Sequence, residues 1–337
     1  MSHQIYYFRH CIFYAILLLA GCKSNPLEID VSQITSEAVI KQLDNDLFKQ
    51  DSITYDTLSE LRANYKDFFD IYCNRMLRLP IKNDTILLDA LNKFISDRDV
   101  KTIKSKTDSA FSQMDDIQAQ LTDFVKHYTY YYPQKPVPNF ISYISAFNYA
   151  TVTVDSSIGI GLDFYLGADC EFYPSLQFPN FMIRKLSRQY IAPNCITGYF
   201  QKEYPQDLAK NQCMDYMIYY GKMWYYLQAM APSMPDSIRF GYSQTEVEFA
   251  AKNEKNIWAA MIENKLLFST DYKTFMKLIS DGPTTSGFPE GSPPRLGCYI
   301  GYKIIVAYLK NNKDITLTQL MSNTDHLKIF NQSGYKP

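Results

Sequence analysis

The chain has 337 residues, 46% of them hydrophobic and 15% aromatic with 28 tyrosines, and a formal net charge of −1. That much apolar material can fill the core of one large, mostly helical domain, and such aromatic content is common in envelope proteins. The balanced charge leaves no basic footprint for nucleic acid and no charge block of a disordered tail.

At the N-terminus, Arg9 and His10 precede an apolar run over 11–20. The run is too short to span a bilayer but has the length of a signal-peptide core. It ends in Leu19-Ala20-Gly21-Cys22, the small-residue pattern of a bacterial lipoprotein signal, in which the cysteine thiol receives a diacylglycerol. The expected organisation is a signal peptide over 1–21, a lipidated flexible tether over 22–36 and a single domain over 37–337, with lipid on Cys22 as the membrane anchor. Setting aside Cys11 and Cys22 leaves Cys73, Cys170, Cys195, Cys213 and Cys298, with no C-x-x-C spacing. An oxidising envelope permits up to two disulfides among them, and buried free thiols are the alternative.

Residues 38–50 read as a short helix opened by an extended residue or two, and 55–77, 85–96 and 108–131 as amphipathic helices. After Pro136-Val137-Pro138 the texture changes to Ile, Val, Phe, Tyr and Thr. Segments 140–147, 150–154 and 158–166 read as a small β-meander, with Asp155-Ser156-Ser157 turning a hairpin. Alternation along 158–166 puts Gly159, Gly161, Asp163 and Tyr165 on one face. That face either admits another chain or ligand close to the backbone or is the polar outside of a thin edge strand.

A loop over 166–178 leads to a helix over 180–190 carrying Arg184, Lys185 and Arg188, followed by Pro193. In 207–230, Met214, Met217, Ile218, Gly221, Trp224, Tyr225 and Gln228 recur at helical spacing, and Tyr216, Tyr219 and Tyr226 cover much of the remainder. A helix apolar on most sides belongs in the middle of a domain, here with Asp207 as N-cap. Gly221, costing about 1 kcal/mol in a helix interior, and Lys222 mark either tight packing with a snorkelling lysine or a face turned to a cleft. Ser243 and Glu246 form a capping box opening a helix to 265, and 271–280 is a short helix. The irregular loop 282–294 is of a length that is often functional. It feeds a last helix over 295–310, where Gly297 and Gly301 allow close helix contact.

The histidines beyond the signal are His127 and His326, so the i, i+4 pair of a zinc-peptidase helix cannot form. G-x-S-x-G and P-loop patterns are absent, and Gly159-Ile160-Gly161 lies inside a strand. No cofactor or metal is expected.

The order of Asp163-Phe164-Tyr165-Leu166-Gly167, Met217-Ile218-Tyr219-Tyr220-Gly221-Lys222, Gly241-Tyr242, Ile257-Trp258, Pro293-Pro294-Arg295-Leu296-Gly297, Gly301-Tyr302-Lys303-Ile304-Ile305-Val306 and the final Tyr335-Lys336-Pro337 resembles the gliding-motility lipoprotein GldB family of Bacteroidetes. The resemblance implies a lipoprotein of the outer membrane facing the periplasm. Its role would be that of a non-catalytic binding or assembly component of the gliding and protein-secretion machinery, with envelope proteins as partners. The family in turn looks distantly like zincin-type peptidases. On that comparison Arg184-Lys185-Leu186-Ser187-Arg188 occupies the H-E-x-x-H slot and Tyr220 the glutamate slot, every metal ligand being replaced.

The resulting expectation is an α+β, mostly helical single domain with a small β-meander and a zincin-like core lacking metal ligands. Its cleft would gather Asp163, Tyr165, Tyr220, Lys222 and Arg295 around an extended peptide or a carboxylate-bearing partner. The competing reading makes Asp163 a structural partner of Lys222 or Arg295. The competing function is a divergent peptidase-like hydrolase acting on envelope peptides or glycopeptides.

Overall fold

In the computed structural model, which describes residues 27–207 and 209–337, the domain opens with strand β1 (Ile40–Gln42) and the one-turn helix α1 (Leu43–Leu47). The predicted signal and Cys22 lie outside the described residues. Val31–Pro337 make one compact unit.

The amphipathic stretch 55–77 is not one helix. α2 (Tyr55–Tyr65) ends where Lys66 turns left-handed at φ 49°, and α3 (Asp67–Ile71) runs into a π-helical turn, Tyr72–Met76. Next comes α4 (Asp84–Ser96), capped by the Asn83 side chain. α5 (Arg98–Ala110) is an addition to the sequence reading, and its cap is the Asp97 carboxylate, which accepts from the amides of Asp99 and Val100. α6 (Asp115–Tyr131) follows, starting later than the pattern from 108 implied. Leu43, Phe68, Tyr72, Leu87 and Leu91 are among the residues of the buried cluster of this half.

The β-segments are β2 (Asn139–Tyr143), β3 (Thr151–Val154) and β4 (Ser157–Gly161), in the spatial order β1-β2-β4-β3. The hairpin β3–β4 is antiparallel as expected, but β2 runs parallel to both β1 and β4, so the sheet is mixed rather than a meander. The strand expected to reach 166 stops at Gly161, and Leu162–Tyr165 is a 3₁₀ turn. Alternation is lost there, and Leu162, Asp163, Phe164 and Tyr165 are all buried. The glycine face of β4 is occupied by the protein itself. A Cβ on Gly161 would lie 2.2 Å from the carbonyl of Tyr149, and one on Gly159 would meet the Phe68 and Tyr143 rings.

Past β4 come the short helices α7 (Phe172–Ser175) and α8 (Asn180–Ile183), and a 3₁₀ turn, Arg188–Tyr190. The helix expected over 180–190 is therefore broken. Between its pieces the chain pairs with the segment after the hairpin, Leu166 bridging Ser187 and the Gly167 amide donating to the Leu186 carbonyl at 2.9 Å. α9 (Ile191–Glu203) is a further helix that the pattern did not reveal. Pro193, expected just beyond the end of a helix, instead sits in the first turn of this one, where the missing N–H has no intrahelical partner to lose.

α10 (Cys213–Met230) is the central helix, buried around most of its circumference. Its cap is a Gln212–Asp215 box, while Asp207 accepts from the Ala209 amide in the preceding turn. α11 (Asp236–Phe240) ends at left-handed Gly241. The Ser243–Glu246 capping box is present at the start of α12 (Gln244–Lys252), but Asn253 separates it from α13 (Glu254–Glu263). α14 (Tyr272–Ile279), α15 (Leu296–Asn311), α16 (Leu317–Ser322) and α17 (His326–Ser333) complete the chain. The result is an α+β, mostly helical domain. All five cysteines beyond the tether are free thiols, Cys170 half-buried and the others buried. No helix of the described residues is long and apolar enough to cross a membrane.

Candidate functional site

Only part of the expected cleft assembles. Asp163 is fully buried and accepts from the amides of Ser145 (3.1 Å) and Phe147 (2.7 Å), tying down a loop in which Ala146 and Phe147 are both left-handed. Burial pushes its carboxyl up to about 7, against the pull of those two amides. Lys222 is committed elsewhere. Its ammonium donates to the carbonyls of Met321 (2.8 Å) and Asn323 (3.0 Å), capping the end of α16. The expected approach of Asp163 to Lys222 does not occur, because each satisfies backbone groups of its own neighbourhood. Neither forms an ion pair within 4.0 Å among the described residues.

Arg184, Lys185 and Arg188 do not share one helical face. The break at Leu186–Ser187 sends them to separate carboxylates: Arg184 to Glu246 (3.0 Å), Lys185 to Asp281 (2.7 Å) and Arg188 to Asp116. An H-E-x-x-H slot needs consecutive turns of one helix, and 184–188 does not form them, so these three residues are not displayed as that motif displays its ligands. Glu246 serves twice, since its other oxygen accepts from the Ser243 amide in the capping box.

Tyr220 and Arg295 are brought together. The guanidinium of Arg295 lies 5.3 Å from the Tyr220 ring centre and 5.0 Å from that of Trp224, both presented by α10. A cation stacked on aromatic faces is held in place without a counter-charge. The loop 282–294 delivers it. Thr285 donates from its hydroxyl to the Pro293 carbonyl and accepts from the Leu296 amide, and the Tyr242 hydroxyl donates to the Pro294 carbonyl at 2.6 Å. Arg295 itself adopts φ 60° and ψ 33° as N-cap of α15. A side chain other than glycine, asparagine or aspartate in that region is strained by about 1–2 kcal/mol, and such positions cluster at functional sites.

In front of Arg295 lies a cavity of about 190 Å³. Its walls are Trp224, Met223 and Leu227 from α10, Asn194 and Thr197 from α9, and Ile238, Arg239 and Phe240 from α11, with Lys185 and Asp281 at the charged side. Burial lowers the Lys185 ammonium, and Asp281 partly restores it. Arg239 is 7% exposed, pairs with Asp236, and lies over the Phe240 and Tyr302 rings. Its Nε is buried without a hydrogen-bond partner. Arg295 has no carboxylate within ion-pair distance among the described residues. Tyr165 stands one residue behind the cavity, its hydroxyl accepting from Asn194 (2.9 Å) and bonded to Thr151 of β3 (3.0 Å).

Asn194, Arg239 and Asp281 are the members of this site that sequence reasoning missed. Asn194 was hidden with α9. Asp281 immediately precedes the long loop, a position that could have drawn attention to it. Among the described residues, no group of three or more His, Cys, Asp or Glu side chains could hold a metal ion.

The family model described as "Gliding motility protein GldB" matches residues 24–337. No curated protein matches the chain, and no solved structure matches it. With nearly the whole sequence inside the match, the chain belongs to the gliding motility protein GldB family, a lipoprotein family.

Proposed function

We propose that the protein is a lipid-anchored, periplasm-facing component of the outer membrane that binds a partner in the gliding and secretion machinery without transforming it. The observation that carries this reading is Arg295. Its guanidinium is strained in backbone, stacked on two aromatic rings and turned to a cavity, while Lys185 and Arg239 beside it have their own carboxylates. Asp281 acts on Arg295 only through its charge, from beyond ion-pair distance and already paired with Lys185, so a carboxylate supplied from outside would be the first direct ion-pair partner of this guanidinium.

The sheet adds a second element. β3 is an outer strand, and Thr151 on it connects through Tyr165 to Asn194 on the cavity wall. A partner segment adding to that edge could set a side chain or terminus into the cavity.

The test is complementation of a deletion in the native host, scored by spreading on agar and by protein secretion. Wild type should restore both, and Arg295→Gln, present at equal level in the envelope, should restore neither fully. Full restoration by Arg295→Gln would refute the role given to this site.

A further inference from the structure

We infer that the cavity before Arg295 is a monocarboxylate pocket, taking one carboxylate on a short apolar stem from a partner peptide. This deepens the partner-binding reading above and rests on it for biological meaning, but its chemistry stands on the cavity itself.

Charge selects the sign and the valence. Lys185, Arg239 and Arg295 bring three positive charges, and Asp281 and Asp236 bring two negative ones, leaving one cation in excess. A cation would meet two guanidinium groups, and a dianion would bring more negative charge than the pocket can balance in a partly desolvated place. A single carboxylate balances it, and the planar fork of an arginine matches a carboxylate edge. The unpartnered Nε of the buried Arg239 is an additional donor on a lining residue.

Size and walls select the rest. About 190 Å³ is well above what a single water needs and has room for a carboxylate on a short stem of carbons. Met223, Leu227, Ile238 and Trp224 line the volume with apolar surface that suits methylene groups. Acidic side chains and chain termini both offer this chemistry.

Trp224 lies against Arg295 and lines the cavity, so its fluorescence reports occupancy. In a soluble domain carrying Trp258→Phe, sodium acetate, butyrate and sulfate are titrated at constant ionic strength. Saturable changes are expected with both carboxylates, butyrate binding tighter than acetate and sulfate no tighter than acetate. Arg295→Gln should weaken butyrate about tenfold or more. Should that variant melt early, Arg295→Lys, which keeps charge but loses the fork, should still weaken it severalfold. A response that does not saturate, a preference for sulfate, or equal butyrate affinity without Arg295 overturns the inference.

Two pentapeptides then identify the source: one without acidic residues but with a free C-terminus, the other amidated with a single internal glutamate. Competition with butyrate by the first points to a terminus and by the second to a side chain; competition by neither overturns the inference. Butyrate binding by a protein whose complementation is indifferent to Arg295→Gln would keep this pocket and sink the partner reading. Lost complementation with no butyrate binding by wild type would sink the pocket alone.

Discussion

Gly221 of α10 and Gly301 of α15 meet backbone to backbone. A Cβ on Gly221 would lie 2.3 Å from the carbonyl carbon of Gly301, and one on Gly301 would lie 1.8 Å from the carbonyl oxygen of Met217. Neither obstacle is a flexible side-chain tip, so the helices would have to separate. Gly301→Ala should therefore cost about 3 kcal/mol or more, at or above the upper end of ordinary overpacking. Urea unfolding of the soluble domain measures it, and a loss below about 1 kcal/mol would mean that the crossing is looser than described.

This contact shows what the sequence made legible. Gly221 and Gly301 both stood out as costly or permissive positions within helices, and of the two readings of Gly221 the packed one holds. The buried central helix, the hairpin and the Ser243–Glu246 capping box were equally readable, because each rests on local periodicity or local chemistry. What failed depended on partners distant in the chain. The 3₁₀ turn at Asp163 and the break after Arg184 are imposed by backbone pairing and ion pairs across the fold. α9 was lost to Pro193, whose place in a first turn looks locally like a stop. Within the site, Tyr220 and Arg295 were recognisable and do meet, whereas Asn194, Arg239 and Asp281 come from elements whose spatial neighbours no spacing reveals.

Lys222→Met tests the role that replaces the expected cleft lysine. Burial, with the Lys210 charge, lowers the ammonium to about 8, so removing it relieves a cost. Against that, the carbonyls of Met321 and Asn323 lose charge-assisted bonds of about 1.5–3 kcal/mol each. The net expectation is a loss of about 1–2 kcal/mol with carboxylate binding unchanged. Combined with Asp163→Asn, which shares none of its hydrogen-bond partners, the effects should add within about 0.5 kcal/mol. Strong non-additivity in denaturant unfolding would contradict the separation of these two residues.

Asp163 sets a pH dependence. Its pKa is raised from 3.8 to about 7, chiefly by burial. Between those values the native state holds a proton that the unfolded chain has lost. The associated stability is therefore complete below the unfolded pKa and is lost as pH rises through the folded one. The contribution is bounded by about 4 kcal/mol. Unfolding by urea at pH 5 and pH 8 should show wild type losing stability towards pH 8 by more than Asp163→Asn does. An identical difference in the variant would show that Asp163 does not titrate there.

Cys22→Ser tests the anchor implied by the lipoprotein signal and family. The variant should accumulate as an uncleaved precursor without acyl chains, seen by gel shift and by labelling with an alkyne fatty acid. Processing and acylation equal to wild type would refute attachment at this cysteine.

The partner-holding role proposed for the cavity before Arg295 can be tested in place. Thr197 lines that cavity and is half-buried, so a photo-crosslinking amino acid placed there in living cells reports directly on what enters it. Lys93, whose side chain is 76% exposed, provides the control position. Discrete adducts are expected from position 197 that are absent from position 93 and that disappear when Arg295→Gln is added. Adducts from position 197 that persist without Arg295, or that match those from position 93, would contradict it.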